Sequence, residues 1–240
     1  MKFKNKKDNK AFVKQNPNLA IPPDYLMYEA HQLKYRSYFE NGLSNTKKIK
    51  ALFEKYIDFE GKNVLDWGCG PARIIRHFPS LAKNTKFYGT DYNKETITWN
   101  SKNIDNVSFY TNGINPPTSF DNDYFDIVYG LSIFTHLSEE NHINWINELA
   151  RITKSGAILL LTTHGEIFKQ KLIKKDLIDF ENNKLVVQGN TLEGHRTYAA
   201  FHPPKLMREY FNEKFEILEH IPGTQKGAKI SQDQWVLKTK

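Results

Sequence analysis

The chain has 240 residues, 39% of them hydrophobic and 13% aromatic, which builds a sizeable core and excludes global disorder. No run reaches the ~18 apolar residues of a membrane-spanning helix and the N-terminus has no apolar leader, so a cytoplasmic location is expected. Cys69 is the single cysteine, which excludes an internal disulfide and a cysteine zinc cluster. The net charge of +7 is concentrated at one end: residues 1–14 hold six lysines and one acid, leaving the remainder at only +2. That distribution argues against a nucleic-acid-binding body.

Residues 1–20 are expected to be a disordered, Lys-rich tail. Residues 21–60 read as an N-terminal helical extension, opened by Pro22-Pro23-Asp24 and interrupted near Asn41-Gly42. Ile49, Leu52, Phe53 and Tyr56 fall at i, i+3, i+4, i+7 and give it one apolar face. Packing is the expected role of the aromatics at Tyr25, Tyr28, Tyr35, Tyr38 and Phe39, with cover for a ligand as the alternative.

From residue 61 to 240, short apolar runs alternate with helical stretches, the pattern of a parallel sheet. Strands are expected at Asn63–Trp67, Lys86–Thr90, Val107–Thr111, Phe125–Tyr129 and Ala157–Thr163. Helices are expected at Ala72–Ser80, Lys94–Asn103 and Glu139–Thr153, with a turn at Lys154-Ser155-Gly156. An insertion at about 165–205 should carry a helix at Glu166–Asp176 and a hairpin pairing Lys184–Gln188 with Thr197–Phe201. A helix at Pro203–Phe211 follows. Phe215–Ile221 and Gln234–Thr239 then suit an antiparallel pair at the sheet's edge. The whole is a Rossmann-like α/β fold: a seven-stranded, mostly parallel sheet with one antiparallel edge strand, helices on both faces and a helical extension.

The chemistry starts where the first strand ends. Val64-Leu65-Asp66-Trp67-Gly68-Cys69-Gly70 runs from an apolar strand into an acid and two spaced glycines, and twenty-one residues after Gly70 a second strand ends in Asp91. Glycines let backbone approach a ligand closely, and a carboxylate at a strand end can accept both hydroxyls of a ribose. A dinucleotide fingerprint requires G-x-G-x-x-G, and Arg73 stands at its third glycine. Asp66 would also repel a pyrophosphate and suits an amine-bearing ligand.

These residues resemble the first motif of the class I S-adenosylmethionine-dependent methyltransferases, and the resemblance runs from about Pro22 to the C-terminus. It implies S-adenosyl-L-methionine as cofactor. The turn Gly68-Cys69-Gly70 would border the methionine moiety, with Asp66 near its amino group. Asp91 would accept the ribose hydroxyls, Tyr92 would lie beside the adenine, and Asn112-Gly113-Ile114 would frame it. Gly130 and Leu131, closing the fourth strand, would face the sulfonium. Further matches to a small-molecule subgroup are Leu131–Ser138, Trp145–Arg151, Leu161–Gly165, Phe201-His202-Pro203 and Gln232-Asp233-Gln234. Ala72 replaces a common glycine, a departure expected to be harmless because alanine still allows close packing.

His136 and His164 follow the fourth and fifth strands, on the carboxyl edge where such sheets place their sites. They are the candidate general bases. His195, Tyr198 and His202 border the insertion, which could act as a lid. His142 sits on a charged helix face and is expected to be inert. No histidine spacing matches a metal site, so none is expected. The reading is methyl transfer to oxygen or nitrogen of a small-molecule acceptor. An RNA or protein methyltransferase, or a non-catalytic cofactor-binding module, are the alternatives, and the oligomeric state stays open.

Overall fold

The computed structural model describes residues 2–30, 32–189 and 191–240. It divides into two compact units, Met1–Thr111 and Asn112–Lys240.

The first unit opens with helix α1 (Lys2–Gln15), then α2 (Asp24–Ala30) and α3 (Tyr35–Phe53). The expected disordered tail is therefore corrected over most of its length. Phe12 is the reason. It is buried with Met27, Leu33, Tyr38 and Phe39, stacking on Phe39 at 5.5 Å. Polar anchors fix the helix beside it: Asn5 and Asn9 donate to the Leu33 carbonyl, and Asn9 Oδ1 accepts from the Tyr35 amide. A lysine-rich composition concealed this face because, among the residues of α1 whose burial is described, Phe12 alone is a buried hydrophobic.

Helix α3 runs unbroken through Asn41-Gly42, where an interruption was expected. Gly42 serves close packing: a Cβ there would lie 2.3 Å from the Arg73 carbonyl oxygen. One turn on, the buried Thr46 hydroxyl bridges the Gly42 and Ile74 carbonyls at 2.9 and 3.0 Å. Of the aromatics, Tyr38 and Phe39 are buried, whereas Tyr25 and Tyr28 are exposed.

Strands β1 (Asn63–Trp67), β2 (Lys86–Asp91) and β3 (Ser108–Thr111) form the parallel ladder β3-β2-β1, with α4 (Lys94–Asn103) in the crossover. The expected helix at Ala72–Ser80 is instead a turn followed by a 3-10 segment, Ile75–Ser80. Ala72 has φ 59°, left-handed backbone that stops helix propagation, and Pro79 removes a donor. The replacement of glycine at this position is thus a strained one, not a neutral one.

The second unit holds β4 (Phe125–Gly130), α5 (Glu139–Ile152) and β5 (Thr153–Thr163). Strand β5 starts at Thr153, so the expected turn at Lys154–Gly156 lies within it; Gly156 has φ 81° there. The insertion carries a 3-10 segment (Glu166–Lys171) and α6 (Lys174–Glu181) in place of one helix. Its strands β6 (Val186–Gln188) and β7 (Ala199–Phe201) pair antiparallel as expected. Phe168, Phe180, Val186 and Phe201 form a small core beneath it.

Helix α7 (Pro204–Lys214), β8 (Phe215–Ile221), the small hairpin β9 (Gln225–Lys226) and β10 (Lys229–Ile230), and β11 (Asp233–Thr239) complete the chain. This unit contributes the order β4-β5-β11-β8 to a seven-stranded, mostly parallel sheet. The antiparallel strand is β11, one place in from the edge; β8 pairs antiparallel with it and takes the edge. Among the described residues no helix is long and apolar enough to cross a membrane.

Gly42→Ala is expected to destabilise the protein by about 1–3 kcal/mol, the usual cost of overpacking a close backbone contact. Urea denaturation monitored by tryptophan fluorescence measures it, and an unchanged midpoint would show that α3 does not need this approach.

Candidate functional site

In the first unit, the glycine turn is built by its own backbone. Gly68 and Cys69 both donate to the Thr90 carbonyl, at 2.9 and 2.8 Å, which ties the end of β1 to the end of β2. Gly68 and Gly70 have φ 76° and 50°, conformations that glycine adopts without steric cost.

Asp91 closes the arrangement. Its Oδ2 accepts from the Gly70 amide and its Oδ1 from the Asn93 amide, both at 2.9 Å. Each carboxylate oxygen offers two lone-pair directions, so two backbone donors leave acceptor capacity on both atoms. Burial pushes the Asp91 carboxyl above its ordinary range, opposed by the Asn93 and Gly70 amides. Asn93 then caps α4 by accepting from the Thr96 amide, so one short segment turns the strand, aims the acid and starts the helix.

Asp66 is buried, and its charge is felt at Cys69 and Tyr38. Cys69 is buried, its thiol pushed well up by burial and by the Asp66 and Asp91 charges, so it is a neutral packing group. Gly89 makes room for it: a Cβ there would meet Phe109 at 2.8 Å and the Cys69 sulfur at 3.0 Å. Tyr92 stands exposed immediately after Asp91. The structure thus gathers Gly68, Cys69, Gly70 and Asp91 into one bonded cluster. Sequence reasoning missed Asn100, which is fully buried on α4 and donates to the Gly70 carbonyl at 2.8 Å.

In the second unit, Asn112-Gly113-Ile114 is held to α5: Trp145 Nε1 donates to the Ile114 carbonyl at 2.7 Å, and Asn141 donates to Asn115 Oδ1. The Asn112 amide nitrogen donates to the Gly113 carbonyl, which leaves its buried Oδ1 an acceptor without a donor. Gly130 ends β4 in register with Leu161 of β5. Just beyond Leu131, Ser132 adopts φ 65°. Its amide donates to Thr162 Oγ1, and Gln232 Nε2 donates to its hydroxyl while accepting from Thr162. This polar ring was not singled out from the sequence, although Thr162 and Gln232 both lie in motifs that were.

The four histidines of this unit that bear on chemistry fall into two pairs. His136 Nδ1 lies 2.7 Å from the Tyr198 carbonyl and His164 Nδ1 lies 3.0 Å from the Ala200 carbonyl. A carbonyl only accepts, so each Nδ1 carries the proton and each Nε2 presents its lone pair. Burial lowers both; His164, stacked on Phe168 at 4.1 Å, falls to about 4.

The second pair corrects an expectation. His142 is fully buried, not on a charged face: Nδ1 donates to the Ser138 carbonyl, the ring stacks on Phe134 at 4.8 Å, and Nε2 lies 2.8 Å from His202 Nε2. The tautomers follow in sequence. With the His142 proton on Nδ1, its Nε2 accepts, and His202 must donate. His195 is exposed, and its ring bonds to Thr197 of its own loop.

Residues 64–156 match the family described as a methyltransferase domain. No curated protein matches the chain in sequence. Among solved structures, it is similar to an S-adenosylmethionine-dependent methyltransferase from Methanosarcina mazei, with a TM-score of 0.61, 20% identity and coverage of 79% of this chain and 96% of that one. It is also similar to magnesium protoporphyrin IX methyltransferase from Synechocystis PCC 6803, crystallised with S-adenosylhomocysteine, at a TM-score of 0.60, 14% identity and 96% and 95% coverage. At these identities the two structures speak for the fold, while the glycine turn with its paired acids lies within the matched domain. The matched segment is thus a methyltransferase domain, and the fold around it is that of the S-adenosylmethionine-dependent methyltransferases.

The buried imidazoles give stability a definite pH dependence. Burial holds His142 at about 4 when folded, against ~6.5 in an unfolded chain. Below ~6.5 the unfolded state therefore takes up protons that the folded state refuses, and stability falls as pH drops towards 4. The loss expected at pH 5.5 is on the order of 1 kcal/mol per such histidine. Urea titrations at pH 7.5 and 5.5 check this. The acid-induced loss should shrink in His142→Gln, and an equal loss in the variant would contradict the assignment.

Proposed function

We propose that the protein transfers the methyl group of S-adenosylmethionine to an oxygen or nitrogen of a small-molecule acceptor, working in the cytoplasm. The carrying observation is that one covering segment, through the Tyr198 and Ala200 carbonyls, fixes the tautomer of both His136 and His164. Glu193 anchors that segment by accepting from the Ser138 amide and Asn141, and Gly194 donates to the His136 carbonyl. A folded-in strap beside two oriented imidazoles suits an acceptor small enough to be enclosed.

On this reading Asp91 accepts the ribose hydroxyls, Asp66 faces the amino group of the methionine moiety, and Gly68, Cys69 and Gly70 border that moiety. Tyr92 flanks the adenine. Asn112, with Gly113 and Ile114, frames it, the orphaned Asn112 Oδ1 supplying an acceptor for the exocyclic amine. Gly130 and Leu131 face the sulfonium.

Methyl transfer is an in-line displacement. The acceptor's lone pair forms the new bond to the methyl carbon as the carbon–sulfur bond breaks, and the sulfonium is neutralised as S-adenosylhomocysteine leaves. Placement supplies much of the acceleration. His164 Nε2, or His136 Nε2, takes the proton released by a hydroxyl or ammonium acceptor. Because burial keeps His164 neutral down to about pH 4, it is ready to accept a proton throughout the neutral range.

Two measurements test the reading. Asp91→Ala should weaken S-adenosylhomocysteine binding by about 1.5–3 kcal/mol in calorimetry, the scale of hydrogen bonds to a charged group. His164→Ala should lower methyl transfer to a panel of small hydroxyl and amine acceptors by roughly 10²-fold or more, with cofactor affinity unchanged. Transfer to bulk RNA or protein, with none to the panel, would favour the alternative acceptors.

A further inference from the structure

Gly70 is clamped from both sides. Its amide donates to Asp91 Oδ2 at 2.9 Å, and its carbonyl accepts from Asn100 Nδ2 at 2.8 Å. Between these bonds lies a glycine at φ 50°, a residue with no side-chain sterics of its own to choose a conformation. The clamps therefore choose it. Asn100 is the stiffer of the two: it is fully buried on the inner face of α4, between Thr96, Ile97 and Ile104, which are also buried. It also reaches the Cys69 sulfur at 3.8 Å. Its Oδ1 is buried without a donor, so the amide is held in place for its nitrogen alone. A buried polar group with one unmet partner is costly, which a purely structural apolar residue would avoid.

We propose that Asn100 is a positioning residue of the cofactor site. By holding the Gly70 carbonyl, it sets the direction of the Gly70 amide, and that amide with Asn93 sets the plane of the Asp91 carboxylate. The two lone-pair directions that remain are then presented as a fixed pair to the vicinal hydroxyls of a ribose. This rests on Asp91 as the ribose acceptor, the reading given above. Asn100 touches no reacting atom; it acts through Gly70.

Asn100→Asp separates this role from simple packing because it keeps the shape and replaces the donor nitrogen by oxygen. The groups near it are Cys69, which is neutral, and the Asp66 and Asp91 carboxylates that act on Cys69. At pH 8.5 the new carboxylate opposes the Gly70 carbonyl. At pH 5.5 a protonated carboxyl has an O–H to donate and restores the bond. Calorimetry of S-adenosylhomocysteine with wild type and variant at both values should give a variant about tenfold weaker than wild type at pH 8.5 and within about threefold at pH 5.5. Taking the ratio at each pH cancels the titration of Asp91, which both proteins share. A ratio near one at both values overturns the proposal, and so does an equal loss at both. Should Asn100→Asp not fold, Asn100→Ala is expected to bind about tenfold more weakly at either pH; wild-type affinity there overturns the proposal as well. Failure of the wild-type protein to bind S-adenosylhomocysteine would instead overturn the cofactor site on which the proposal stands.

Discussion

The carboxylate of Asp91 sits where backbone amides converge. Those of Gly70 and Asn93 point at its two oxygens, and they come from opposite sides, one from the glycine turn after β1 and one from the start of α4. Burial works against this charge, and the two amides are what make it tolerable. Much of the surrounding sequence answers to the need to bring them there. Gly68 and Gly70 permit the turn, Gly89 admits Cys69, and Asn93 stops β2 and caps the helix. The proposed ribose site is thus the by-product of satisfying a half-buried acid with main-chain donors.

The second unit applies the same economy to imidazoles. His136, His142 and His164 each give the Nδ1 proton to a main-chain carbonyl and His202 donates to the His142 ring, whereas His220 meets the Asp233 carboxylate at 2.8 Å. Burial is the largest influence on the first four rings, and all four have depressed basicity. Neutral rings with assigned tautomers are fixed in orientation, and that separates the two proposed as bases from the two that spend Nε2 on each other. His142 and His202 serve as a polar joint between α5 and the segment ahead of α7.

The strands and the longer helices were legible because each has a periodicity set by its own burial. Asn63–Trp67 and Lys94–Asn103 end at the residues expected from their apolar runs and their flanking caps. Asp91 was legible as well, since an acid at a strand end follows from chain order alone. Other features depended on partners distant in sequence. Helix α1 has too little apolar surface to declare itself, and it needs Phe39 to dock Phe12. Gly42 looks like a helix breaker until the Arg73 carbonyl is placed against it. His142 lies among Glu139, Glu140 and Asn141, which suggested a solvated face, yet the ring points inward to a histidine sixty residues away. Asn100 carries no sequence signal at all, because its significance is the carbonyl it meets.

Helix α1 also changes how the protein's excess charge is presented. On a mobile tail, lysines form a diffuse cloud whose average position is blurred by chain motion. Here Lys6, Lys10 and Lys14 lie exposed along a docked rod, four residues apart and hence about 6 Å apart along its axis. That spacing is below the ~8 Å screening length of physiological salt, so the three ammonium groups act as one stiff line of positive potential. Its direction is fixed by Asn5, Asn9 and Phe12, and it turns with the folded body as a permanent feature of its electrostatic surface.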